Sequence, residues 1–142
     1  MIFQTTELLK VIEQCIEDGL GNKDVITLAG KIPHDEMIHW YNDADFIISS
    51  SHYEGSGTAV CEAMSCGCIP ILTDIPSFRM MSDNGNCGLL YPPGDANALL
   101  SVLIKSTVID ITDSKRKILE QFNANLSFDA IAERFQDIAL SL

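Results

Sequence analysis

The sequence predicts an α/β fold: a Rossmann-like parallel sheet with helices on both faces. Two observations predict it. Short β-branched and apolar runs alternate with amphipathic helical stretches along the chain, as in a parallel sheet covered on both sides. No repeat, low-complexity stretch or linker interrupts that alternation, so residues 1–142 read as one domain.

The elements follow in order. Leu8, Leu9, Ile12 and Ile16 recur at helical spacing, and Gly19 and Gly21 stop that helix. Val25 to Ala29 is a short buried strand closed by Gly30. Pro33 to Glu36 opens a second helix that runs to about Asn42, with acidic residues in its first turn where the dipole favours them. Ala44 to Ser49 is the second strand. A loop, Ser50 to Gly57, leads into a helix from Thr58 to Cys66, which Gly67 ends. Ile69 to Thr73 is the third strand, with Pro70 near its start, where a missing donor is tolerable. A short helix from Ser77 to Ser82 and a fourth strand from Cys87 to Tyr91 come next. After the turn Pro92-Pro93-Gly94, Asp95 caps a helix with Leu99, Leu100, Leu103 and Ile104 on one side. Helices from Asp113 to Asn123 and, capped by Ser127, from Phe128 to Leu140 close the chain.

Composition excludes several classes of function. Nine basic against twenty acidic residues give a formal charge of −11, a field that repels nucleic acid. The small basic cluster Lys115-Arg116-Lys117 reads as a solvated helix face. No apolar run is long enough to cross a bilayer, and Met1 to Thr6 carries no signal-peptide pattern. The expected compartment is the cytoplasm, or the cytoplasmic face of a membrane. The five cysteines form no Cys-x-x-Cys pair and read as free thiols, with Cys15, Cys61 and Cys87 as small core residues.

The informative segment runs from Ser50 to Gly67. It follows a strand's carboxyl end and enters a helix N-terminus, the edge where open α/β sheets bind ligands. Gly55 and Gly57 let the backbone approach a ligand closely. Free N–H groups near Thr58 and Ala59, with an end charge of roughly half a unit, suit a diphosphate. Thr58 and Glu62 are four apart and share a helix face, so Glu62 looks back towards the N-terminus. On these grounds alone the loop reads equally as a phosphate site or a plain strand-to-helix turn.

Glu54 and Glu62 stand inside Glu-Gly-x-Gly-x-x-x-x-Glu-Ala-Met-x-x-Gly. This resembles the E-x7-E signature of the retaining, GT-B-fold glycosyltransferases of family 4. The likeness extends to Leu28–Met37, which looks like the family's base-contacting loop, to Ala44–Ser49, to Gly67 and Pro70, and to Gly88–Asp95. The resemblance implies that Glu62 accepts hydrogen bonds from the donor ribose. It implies that Glu54, the catalytic candidate, binds a sugar hydroxyl and supports charge near the anomeric carbon. The backbone of Ser56, Gly57, Thr58 and Ala59 would hold diphosphate and sugar, Val60 would pack near the nucleoside, and the backbone around Lys31 and Ile32 would meet the base. Carboxylates accepting from vicinal diols and N–H groups aimed at a leaving diphosphate make those roles physically sensible. The implied donor is a UDP- or GDP-sugar, with no metal and no further cofactor.

The resemblance also implies a donor-binding domain that is a fragment of a two-domain enzyme. The family's donor domain begins with a strand, a helix and a second strand that carry an Arg and a Lys for the diphosphate. Neither Arg79 nor Lys31 fits their place. The acceptor domain is expected elsewhere, so this chain alone is expected to be inactive. With the usual strand order the absent strands are central, and open sheet edges would invite a homodimer. Peripheral membrane contact is expected only of the full-length enzyme.

Competing sites fail on placement. Asp43-Ala44-Asp45 invites a metal-nucleotide reading but precedes a strand, with Asp43 ending a helix. His34, His39 and His52 have no partner at ligand spacing, and His52 reads as a surface-loop residue beside Glu54. Ser49-Ser50-Ser51 lacks a Gly-x-Ser-x-Gly elbow. Two other functions stand beside the transferase: a non-catalytic binding or assembly module, and a nucleotide-sugar epimerase of related fold. Retention of both Glu54 and Glu62 speaks against the module, and the intact motif spacing against the epimerase.

Overall fold

A computed structural model of the chain describes residues 29–141 together with Lys10, Gln14 and Thr27. Two compact units divide the chain, Met1–Pro33 and His34–Leu142. In the first, Lys10 and Gln14 are helical, Thr27 and Ala29 belong to no strand, and Gly30 takes a positive φ of 68°. The rest of the helix and strand expected before Gly30, Cys15 included, lies outside the described residues.

The second unit alternates as expected. A single 3-10 turn, His34–Glu36, feeds α1 (Met37–Asp43). Then come β1 (Phe46–Ser49), α2 (Thr58–Ser65), β2 (Ile69–Thr73), α3 (Pro76–Met81) and β3 (Leu89–Tyr91). Three helices finish it: α4 (Ala96–Ser106), α5 (Ile111–Asn125) and α6 (Phe128–Leu140). The strands pair in parallel in the order β1-β2-β3, with Ile48 beside Ile71 and Ile71 beside Leu89. The unit is therefore an open parallel sheet flanked by helices, of Rossmann-like α/β type.

Burial explains the order. β2 is buried at every residue, which is why Ile69-Pro70-Ile71-Leu72-Thr73 reads as an unbroken apolar run rather than an alternation. Val60 and Met64 of α2, Phe78 and Met81 of α3, and Ile118 of α5 close the core over Ile69 and Leu72. Half-buried Cys61 and Cys87 pack against that core as small hydrophobes, and burial pushes both thiols up. Among the described residues all four cysteines are free.

Several boundaries shift for local reasons. β1 starts at Phe46 because Ala44 caps α1, its N–H bonding Tyr41 O. β3 starts at Leu89, two residues later than expected. Asp83, Asn84 and Gly85 all have positive φ, and Cys87 N returns to Ser82 O, so a turn occupies that ground. α5 starts at Ile111 because Asp110, not a later residue, accepts from Asp113 N at 3.0 Å. The basic cluster lies on α5: Arg116 pairs with Asp113 and Glu120, and Lys117 with Asp113. Lys115 meets Asp45 at 2.8 Å, which removes Asp45 from any metal reading of Asp43-Ala44-Asp45.

Candidate functional site

The carboxyl ends of β1, β2 and β3 gather three connections: the loop Ser50–Gly57, the link Asp74–Ile75, and the turn after Tyr91. The first is held from below by the other two strands. Tyr91 Oη donates to Ser49 O at 3.2 Å and lies 2.7 Å from Ser50 Oγ. A phenol has one proton, so Ser50 is the donor in the second bond. Thr73 Oγ1 donates to Ser51 O, and Ser49 Oγ lies 3.3 Å from Ser51 Oγ. The three serines are thus loop anchors, not nucleophiles. Sequence reasoning missed Tyr91 and Thr73; their place at the strand ends was legible, but their partners lie far off in sequence.

Beyond the anchors the loop reaches Glu54, half-buried and, among the described residues, without a hydrogen bond or ion pair. Among the described residues no buried side-chain polar atom is unpaired, so the Glu54 oxygens are open to solvent. Gly55 has nothing within 4 Å of the place a Cβ would occupy. Gly57 differs. It is buried with φ 56°, and a Cβ there would lie 3.0 Å from Met81 Sδ and 3.2 Å from Phe78 Cε1. Its glycine is demanded by a left-handed backbone and by α3, a structural reason that stands beside the expected one of ligand approach.

Gly57 is also the N-cap of α2, so no side chain caps that helix. Thr58 and Ala59 are exposed, and Ser56 Oγ meets Thr58 Oγ1 at 3.1 Å; Val60 is buried in the core. One turn on, half-buried Glu62 faces α1, with its Oε2 3.5 Å from Tyr41 Oη. Burial first, and then the Glu62 carboxylate, push the Tyr41 phenol above its ordinary value. Glu62 borders a cavity of about 180 Å³ that His34, Met37, Ile38 and Tyr41 also line. Lys31, exposed at a bend, and half-buried Ile32 belong to the first unit.

Two further basic or imidazole groups complete the edge. Arg79 forks onto Asp74, with Nη2 2.7 Å from Oδ2, and is thereby occupied. The hydrogen bond from Arg79 holds the Asp74 carboxyl below the usual carboxylate range. His52 is exposed and lies beside the Pro92–Gly94 turn, 3.5 Å from where a Gly94 Cβ would sit. Among the described residues no group of three His, Cys, Asp or Glu is placed to hold a metal ion. No helix among them is long and apolar enough to cross a membrane.

With this geometry in view, similar proteins are informative. A family model described as glycosyl transferases group 1 matches residues 10–119. The chain is 39% identical over 66 residues to a GDP-mannose:cellobiosyl-diphosphopolyprenol alpha-mannosyltransferase of Xanthomonas oryzae, covering 46% of this chain and 17% of that protein. It is 24% identical over 140 residues to the amylovoran biosynthesis glycosyltransferase AmsK of Erwinia amylovora, covering 90% and 34% respectively. Among solved structures, sucrose-phosphate synthase from Thermosynechococcus elongatus matches with a TM-score of 0.77 at 27% identity, covering 95% of this chain and 34% of that one. The chain spans about a third or less of the length of these proteins.

Proposed function

The chain belongs to the glycosyl transferases of group 1, and from that premise we propose that it is the nucleotide-sugar-binding domain of a retaining hexosyltransferase. One observation carries the reading. At the carboxyl edge of the sheet, Glu54 has no partner among the described residues and stands next to a helix start with no side-chain cap. A diphosphate laid over Ser56, Gly57, Thr58 and Ala59 would meet first-turn N–H groups, and Glu54 would reach the sugar. Glu62, one turn further, is suited to accept from ribose hydroxyls.

Sugar transfer is then the work of a longer protein that presents an acceptor to this edge, and the cytoplasm is its proposed compartment. The base-contacting role of the backbone at Lys31 and Ile32, the absence of a metal, and homodimerisation through sheet edges stay proposals supported by sequence. A GDP-sugar is the first donor to try, because a relative's own name specifies GDP-mannose.

Ligand-observed NMR of the chain with UDP-, GDP- and ADP-sugars, repeated with Glu62→Ala, tests the reading. Selective binding of one nucleotide sugar, lost in the variant, is the expected result. A folded chain that binds none of them, or binds all equally with and without Glu62, would overturn it.

A further inference from the structure

A carboxylate serves a diol well only when its plane is fixed, and α1 supplies a group that can fix Glu62. Tyr41 Oη lies 3.5 Å from Glu62 Oε2, and a phenol beside an ionised carboxylate can only donate. The backbone beneath that ring is pinned from two other elements. Cys68 Sγ, at the start of β2, donates to Tyr41 O at 3.0 Å. Lys115 of α5 donates to Ala44 O at 3.3 Å while pairing with Asp45, just past the end of α1. On the other side, Ser65 Oγ donates to Glu62 O at 2.6 Å, inside the same turn of α2.

We propose that Tyr41 is a positioning residue for Glu62. Its hydroxyl engages Oε2 and leaves Oε1 to accept from vicinal hydroxyls of a ribose that enters the cavity bordered by Met37, Ile38 and Cys66. Tyr41 touches no reacting atom; it acts through Glu62. The inference rests on the donor-site reading and adds to it a residue outside the E-x7-E segment.

Calorimetric titration of GDP and UDP, and of their 2′,3′-dideoxy counterparts, into the chain tests it. Four forms are compared: unaltered, Tyr41→Phe, Glu62→Ala and the double variant. Phenylalanine keeps the ring and its packing between α1 and α2, and a urea unfolding curve for each form checks the fold. Tyr41→Phe is expected to weaken the nucleotide that binds by about three- to tenfold. That loss is expected to vanish in the Glu62→Ala background and with the dideoxy nucleotide, since the two residues then share one interaction. An equal loss in every background makes Tyr41 a packing residue and overturns the proposal. So does a Tyr41→Phe form that binds normally while Glu62→Ala binds weakly. Failure of the donor reading looks different: the unaltered chain binds neither nucleotide, or Glu62→Ala changes nothing, and the positioning role falls with it.

Discussion

Helix α2 and the three helices that close the chain begin in opposite ways. Asp95 accepts from Ala98 N at 2.9 Å, Asp110 from Asp113 N at 3.0 Å, and Ser127 from Ala130 N at 3.2 Å, so α4, α5 and α6 each satisfy one first-turn N–H with a side chain of their own. α2 begins on Gly57, which has no side chain to offer. The short α1 and α3 also lack side-chain caps, but α3 has Pro76 in its first turn, where one orphan donor is absent in any case. Among the described residues, only at α2 does an uncapped start coincide with a carboxylate that has no partner, Glu54, on the carboxyl edge of the sheet. The position at a strand end is common to several connections. What separates this one is polar capacity that the chain itself leaves unused.

The largest effect is expected at the glycine that starts α2. Gly57→Ala forces a Cβ to 3.0 Å from Met81 Sδ and 3.2 Å from Phe78 Cε1 and strains a φ of 56°. Overpacking and left-handed strain together cost about 2–4 kcal/mol, read as a lower urea midpoint at unchanged slope. Gly55→Ala, with open space around it, is expected to stay within about 0.5 kcal/mol. Equal effects at the two glycines would erase the distinction between the one that builds the fold and the one that faces outward.

A smaller effect is expected at the capped helices. Ser127→Ala and Asp95→Ala each remove one acceptor from a first turn and are expected to cost about 1 kcal/mol. Thr58→Ala, whose hydroxyl bonds only Ser56, is expected to cost less than either in the same urea measurement.

The same contrast explains what was legible in the sequence. β2 was readable to the residue because burial on both faces leaves an unbroken apolar run, and α6 because Ser127 announces its start. The bends Asp83–Gly85 were not, because two non-glycine residues take positive φ there and shorten β3. The site's own residues Glu54, Gly55 and Glu62 stood out by type and spacing. Gly57 stood out too, but its packing against α3 did not show, since Phe78 and Met81 lie more than twenty residues away in sequence. Tyr41, Thr73 and Tyr91 were illegible because each works through a partner twenty or more residues away.

Acid should expose the paired carboxylates. Asp74, hydrogen-bonded by Arg79, and Asp113, hydrogen-bonded by Lys117 and Arg116, have lowered values in the folded chain. Between those values and about pH 4 the unfolded chain binds more protons, so stability falls as pH falls through that window. Asp74→Asn is expected to flatten part of the fall in urea midpoint below about pH 4, with Asp113 keeping the remainder. Both groups are half-buried and reached by solvent, so the change is small, and 1 M salt is expected to shrink it. An unchanged acid slope in Asp74→Asn would mean that the Arg79 fork does not persist in solution.

The smallest effect on stability is expected at Glu54, and it decides the most about function. A carboxylate with no hydrogen bond or ion pair among the described residues has nothing to lose there when Glu54→Gln keeps its shape and removes its charge. The unfolding midpoint is expected to stay within about 0.5 kcal/mol of the unaltered chain. A loss of 1 kcal/mol or more, by contrast, would show that the fold uses this side chain, and its lack of a partner would no longer speak for a ligand. An unmoved midpoint, joined to weaker binding of the nucleotide sugar than of the bare nucleotide, places its use on the sugar. That split follows from the loop's order, with Glu54 ahead of the helix start and Glu62 one turn beyond it.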